Sequence, residues 1–475
     1  MTIARTLLSA TLAVALAACG GDGSSPTAPA AGGGTGSSGG GGTASDPCSL
    51  ANRQQFVRDV LDEWYLFPDL LASNVNPAAY TDLQSYIDAL VAPARAQNKD
   101  RFFTYITSIE EENELINSGS NAGFGVRLGY DTGANRVFVL ESFENAPALP
   151  VGIDRGTELL SIDGATVSSL MAAGGPGAVI DALGPSNPGV SRTLGFRDVG
   201  GVQRSATIAK TEFSLDPISD RYGVRILADG TGQVGYINLR TFIVEDAGPQ
   251  LRTAFAQFRS AGIDKVILDL RYNGGGLVSV AELLGDLMAR GREGQVFSKT
   301  ILRPSKSAEN ETELFQAQPE AIAATRVAVI ARGGTASASE LVTNSFIPYL
   351  GTDLALVGTN TYGKPVGQFA FDRSACDDRL RAVAFKTTNA ADQGEYFSGL
   401  APVMPNTCAA NDGIFNQLGD PAEASISVAL DYLAGRSCSA IAGGQDRGLQ
   451  RVGDRRVLLQ PERPNAAQRE VPGLF

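Results

Sequence analysis

A serine, a lysine and a glutamine stand where chemistry could be done: Ser337 in "RGGTASASELVTNSF", then Lys364 and Gln368 in "GTNTYGKPVGQ". The 475-residue chain contains no histidine, which excludes a Ser-His-Asp triad, a Cys-His dyad and any His-ligated zinc. A serine nucleophile here needs another base, and a neutral lysine can serve. A free lysine is almost entirely ammonium at neutral pH, so an apolar pocket must push Lys364 down before it can accept a proton. Gln368 can orient that amine if the segment curls into a helical turn or hairpin. "GTNTYGKP" also fits half of a phosphate-binding loop, but residue 365 is Pro and supplies neither a hydroxyl for Mg²⁺ nor a backbone N–H. Ser337-Ala-Ser-Glu340 reads equally as a capping box, the commoner use of such residues. The two readings are compatible, because N–H groups at a helix start can also stabilise an oxyanion.

The elements that must position these residues follow from periodicity. "RQQFVRDVLDEWYLF" places Phe56, Val60, Leu61, Trp64 and Tyr65 on one helical face, with Trp64 read as core packing, and "TDLQSYIDALV" continues with Thr81 as its cap. From about Ser118 to Glu212 the texture changes to short strands and glycine turns, including "GFGVRLGYD", "NRVFVLESF" and "ELLSI", with a turn at Asp163-Gly164. From Phe213 to Gly435 the pattern is α/β: strands "QVGYINL", "KVILDL", "RVAVIA" and "LALVG", a helix "AGPQLRTAFAQFRSAG", and a last helix opening at Asp420-Pro421. Residues 436–475 are polar and Arg-rich, with a small hairpin conceivable around Gly453-Asp454.

Two resemblances sharpen this reading. "GFGV" (Gly123, Phe124, Gly125, Val126) and the Gly152–Gly164 pattern resemble a PDZ domain, which implies strand addition of a peptide tail at that loop. "TASASE…GTNTYGKPVGQ" resembles the carboxy-terminal processing peptidases, or tail-specific proteases, from about residue 48 to 435. The resemblance implies Ser337 as nucleophile, Lys364 as general base and Gln368 as its orienting partner. "DLRYNGGG" resembles that family's glycine loop, placing Gly275 or Gly276, with the N–H of Ala338, at the oxyanion hole. Thr335 replaces the first Ser of the run, Pro365 stands where the family often has Gly, and "GLAPVMP" lacks an expected Asp; these bear on substrate preference more than on chemistry.

The expectation is a multidomain α+β protein: an N-terminal helical region (47–117), a PDZ-like β-domain (118–212), an α/β protease core of the tail-specific protease (ClpP/crotonase-like) type (213–435) and a C-terminal tail (436–475). It is expected to be a serine-type endopeptidase that cleaves unfolded or tail-exposed proteins and needs no cofactor and no metal. The rival expectations are a non-catalytic tail-binding scaffold, a Ser/Lys amidase on small substrates, and a resting form with the lysine displaced. A net charge of −12 argues against nucleic-acid binding. The start, with Arg5, an apolar run Leu7–Ala18 and "LAAC", resembles a secretory signal ending in a bacterial lipobox. That implies a signal peptide 1–18, lipidation at Cys19, a Gly/Ser-rich tether to residue 46 and an envelope location facing the periplasm. Gly20 does not look like an inner-membrane retention signal, which favours the outer membrane. Cys48, Cys376, Cys408 and Cys438 are then disulfide candidates. Pairing Cys376 with Cys408 closes a local segment and leaves Cys48 for Cys438.

Overall fold

Near-continuous apolar runs along "KVILD", "RVAVIA" and "LALVG" decide the centre of the molecule. The computed structural model describes residues 46–442 and 456–475. In it these segments are neighbouring parallel strands, Lys265–Asp269, Arg326–Ala331 and Leu354–Gly358. Gln233–Asn238 and Asn406–Ala409 extend the parallel sheet, and Val224–Ala228 closes one edge antiparallel. Successive side chains point to opposite faces. Val266, Leu268, Val327 and Val329 pack with the helices Ala247–Ser260, Val278–Met288 and Ala338–Leu350. Ile267, Ala328 and Ile330 pack with helix Ala424–Leu433. Helices on both faces are what such near-continuous apolar strands require. The carboxyl ends of Lys265–Asp269 and Arg326–Ala331 open into "LRYNGGG" and "RGGTASASE", where an α/β sheet places its ligands.

A second, antiparallel sheet was not legible in the sequence. It runs Tyr105–Ser108, Asp378–Thr388, Val296–Leu302, Glu311–Leu314, with Val366–Arg373 also on Asp378–Thr388. The helices Leu50–Trp64 and Leu83–Ala96 cover it through Val57, Leu61, Tyr65, Ile87 and Leu90 against Leu380, Ala382 and Val383. The buried stripe of the first helix is therefore Val57–Leu61–Tyr65. Phe56, Val60 and Trp64 lie at its margin, Trp64 against Phe369 and Phe371. Asp82, not Thr81, caps the second helix, its carboxylate accepting from the N–H of Ser85 at 2.9 Å. The last core helix likewise begins later than Asp420-Pro421 predicts. Glu423 caps it, accepting from the N–H groups of Ser425 and Ile426, because that carboxylate is also held by the buried Arg271 at 2.8 Å.

The third sheet contains Val126–Asp131, Arg136–Ser142, Glu158–Ile162, Ser191–Arg197 and Gln203–Ala209, with the helix Val167–Leu183 packed on its core. The turn Asp163-Gly164 has two left-handed residues, φ 47° and 85°, as a tight hairpin turn needs. The C-terminal segment is not an independent tail. Arg456–Leu458 pairs antiparallel with Gly129–Asp131, and Ala466–Glu470 forms a short helix. The turn of the conceivable hairpin at Gly453-Asp454 lies outside the described residues. So do the signal segment, Cys19 and the tether up to residue 45. No helix among the described residues is long and apolar enough to cross a membrane.

The expected cysteine pairing is overturned. Cys48 bonds Cys376, and Cys408 bonds Cys438. Cys376 and Cys408 are near in sequence but belong to different sheets. Cys408 lies on the strand Asn406–Ala409, along which the segment after Leu433 returns, with Ala409 N–H donating to Ser439 at 2.7 Å. Cys376 lies in the turn before Asp378–Thr388, where Arg373 donates to the carbonyls of Pro47 and Asn52 and brings in the chain beside Cys48.

Candidate active site

Ser337 sits where the strand Arg326–Ala331 gives way to the helix Ala338–Leu350, and its backbone is left-handed, φ 54° and ψ −117°. A serine seldom adopts this conformation, and such outliers persist where surrounding contacts hold them. Those contacts are present. The Thr335 hydroxyl donates to the Leu270 carbonyl at 2.8 Å, and the N–H of Ala336 donates to the Asn273 carbonyl at 3.0 Å. Ser337 is half-buried, whereas Ser339 is buried and its hydroxyl donates to Asn273 at 3.3 Å. The small-residue run thus leaves one accessible serine on the cleft and ties the other into the core.

The glycine loop is stitched to the same place. Asp269 and Arg271 form a buried ion pair at 2.8 Å beneath it, and Asn273 Nδ2 donates to the Leu239 carbonyl at 2.8 Å. Gly275 passes so close to Ser337 that a Cβ there would stand 2.6 Å from the serine Cβ and 3.2 Å from the Ala338 nitrogen. Its φ of 117° is also open only to glycine without strain. Gly276 instead packs on Phe242 and Ile243, so Gly275 is the loop residue that adjoins the serine and the helix start. The Gly275 N–H donates to Asn273 Oδ1 at 2.9 Å, so a shift of this amide is needed before it can serve an oxyanion.

Lys364 reaches the cleft from the loop after Leu354–Gly358. Its amine donates to Gln368 Oε1 at 2.8 Å and lies 5.1 Å from the centre of the Phe103 ring. Burial pushes the lysine below its ordinary range, against a smaller opposing pull from Glu470 and Asp100. Gln368 stands on Val366–Arg373 at a register shift in the antiparallel sheet, and its amide donates to the Phe103 carbonyl. That carbonyl is fixed by Asp100, a buried carboxylate that accepts from the N–H of Phe103 at 2.9 Å and from the hydroxyl of Tyr65 at 2.9 Å. Arg101 donates to the carbonyls of Tyr362 and Gly363, at 2.5 and 2.6 Å. No hydrogen bond joins Lys364 to Ser337 among the described residues.

Glu340 links the two halves. Fully buried, it accepts from the Ser337 N–H at 3.1 Å, the Lys364 N–H at 2.7 Å, the Gly363 N–H at 2.7 Å and the Thr361 hydroxyl at 2.5 Å. One carboxylate therefore holds the serine-bearing helix start and the lysine-bearing loop. The sequence shows Glu340 only as a capping-box partner; its second set of donors comes from a loop more than twenty positions away. Asp100 and Arg101 carried no sequence signal. The loop Gly123–Val126 lies apart from these groups, along the edge of the third sheet, where its backbone meets Phe475.

Residues 233–399 match the model of peptidase family S41, and residues 52–105 match the S41 N-terminal domain. A carboxyl-terminal-processing protease of Synechocystis sp. is 26% identical, over 71% of this chain and 74% of its own length. A chloroplastic C-terminal processing peptidase of Tetradesmus obliquus is 27% identical, over 54% of this chain and 54% of its own, so the chain spans about half of that relative. Among solved structures, a Bacteroides fragilis protein assigned to the S41 proteases is similar in fold, with a TM-score of 0.61 at 21% identity, covering 80% of this chain and 97% of that one.

Proposed function

From a chain that belongs to peptidase family S41, the carboxy-terminal processing peptidases, we infer a serine-type endopeptidase in which Ser337 is the nucleophile, Lys364 the general base and Gln368 the residue that orients the lysine. The neutral amine takes the Ser337 hydroxyl proton as the oxygen attacks the scissile carbonyl. Backbone N–H groups of the glycine loop and of Ala338 stabilise the oxyanion. The resulting ammonium gives its proton to the departing amine. Water, deprotonated by the same lysine, then hydrolyses the acyl-enzyme and restores the serine. The observation that carries this reading is the Glu340 carboxylate, which ties the left-handed Ser337 to the Lys364 loop.

On the same reading the third sheet is a PDZ-like module whose Gly123–Val126 loop receives polypeptide tails, and substrates are unfolded or tail-exposed proteins of a bacterial envelope. A lipid on Cys19 would hold the enzyme at the membrane, facing the periplasm, and no cofactor is required. The two disulfides suit an oxidising compartment.

Degradation of casein tests the assignment. Ser337→Ala and Lys364→Ala are each expected to abolish cleavage while leaving the circular dichroism spectrum and thermal unfolding unchanged. Ordinary turnover by either variant would remove the residue from its role.

A further inference from the structure

The strand Val126–Asp131 has its outer edge filled by the chain itself. Phe475 exchanges hydrogen bonds with Val126, its N–H donating to the Val126 carbonyl at 2.9 Å and its carbonyl accepting from the Val126 N–H at 3.1 Å. The Phe475 carbonyl also accepts from the Gly125 N–H at 2.9 Å, and Leu128 N–H donates to the Gly473 carbonyl at 2.8 Å. Arg127 and Leu474 are antiparallel partners. The remaining length of the strand is taken by Arg456–Leu458 and by Leu459 N–H, which donates to Leu128 at 2.9 Å. This is the hydrogen-bonding pattern of a peptide added to a sheet edge. The fit is close: a Cβ on Gly123 would stand 2.7 Å from the Phe475 carbonyl carbon. The Phe475 side chain joins the apolar core of Phe124, Val126, Val167 and Leu183.

The same segment continues to the cleft. Val471 and Leu474 are buried with Phe143, Phe213, Ile243 and Val244. The Glu470 carbonyl accepts from the Gly274 N–H at 3.1 Å, one residue before the glycine that adjoins Ser337. A Cβ on Gly274 would lie 2.8 Å from the Arg469 carbonyl oxygen. The Glu470 carboxylate pulls Lys364 toward its charged form, a smaller effect than the burial that lowers the lysine, and burial pushes Glu470 itself up. An extended polypeptide that entered along Val126–Asp131 toward Ser337 would meet this segment at the groove and again at the glycine loop.

We propose that residues 456–475 are a built-in occupant of the groove and cleft, a substrate-like segment that keeps the enzyme resting until a polypeptide with a comparable apolar segment displaces Gly473–Phe475. This rests on the peptidase reading above. Casein cleavage by the wild-type chain, by a form lacking residues 456–475 and by Phe475→Ala tests it, each with and without Ser337→Ala. Phe475→Ala keeps the helix and strand of the segment and covers the case in which the truncated chain does not fold. Cleavage should rise about tenfold or more on release, as expected when about nine molecules in ten are closed. A peptide of residues 466–475 should inhibit the truncated enzyme by occupying its vacated groove. Equal, Ser337-dependent rates in wild type and Phe475→Ala would overturn the inference and leave the peptidase reading standing. No Ser337-dependent cleavage in any form would remove both.

Discussion

At the scale of single residues the proposed chemistry turns on one amine. As the proposed base Lys364 has to be neutral, and its burial lets it lose its proton at a lower pH than a free lysine. The rate should therefore rise with pH through an ionisation below the ordinary lysine range, a profile that kcat/KM on a soluble peptide will show. Gln368 accepts a hydrogen bond from that amine without adding charge. Gln368→Glu would place a carboxylate there, stabilise the ammonium and move the rising limb to higher pH. Gln368→Ala should lower kcat by about 10²-fold through misorientation, with little movement of the limb. A purely structural glutamine would give the same limb in both variants. The sequence singled out this lysine through the absence of histidine and the resemblance to the Ser/Lys peptidases. The need for a depressed ionisation was stated from the sequence, but the source of the apolar wall was not legible, because Phe103 is far away in sequence.

At the scale of elements, the start of the helix Ala338–Leu350 does two jobs. It ends the run of small residues that exposes Ser337, and it carries Glu340, whose four donors come from both sides of the cleft. Glu340→Gln keeps the shape but presents an NH₂ group to donors that a carboxylate oxygen had satisfied. Each buried donor left without a partner costs about 1–3 kcal/mol. Glu340→Gln should therefore lose on the order of 3 kcal/mol in urea denaturation and most of its activity, although it touches no substrate. A stability near wild type would show that the carboxylate is not the joint described here. The capping motif was visible in the sequence, but its service to the Lys364 loop was not, since hydrogen bonds between distant segments leave no periodic trace.

At the scale of the whole molecule, the N-terminal helices are locked to the antiparallel sheet that carries Gln368. The Cys48–Cys376 bond closes a loop of 328 positions, and Arg53 meets Asp378 beside it at 2.5 Å. In the chain-entropy picture, removing a cross-link across so long a loop costs about 6 kcal/mol. Replacing both cysteines by Ala should lower the denaturation midpoint by a corresponding amount and loosen the Asp100–Phe103 turn against which Gln368 rests. An unchanged midpoint would mean that the helices are held by apolar packing alone.

What the sequence determined by itself was local in origin. Near-continuous apolar strands located the parallel sheet, because such runs must be buried on both faces. The absence of histidine narrowed the chemistry through residue type alone, and the resemblance carried by Ser337, Lys364 and Gln368 supplied their expected roles. Tertiary structure decided the rest: the antiparallel sheet behind Gln368, the partners of the cysteines, the reach of Glu340 and the return of residues 456–475 to the edge of the strand Val126–Asp131. Each depends on which distant segments meet, and that is chosen by the packing of whole faces against one another, a property that no single stretch of chain contains.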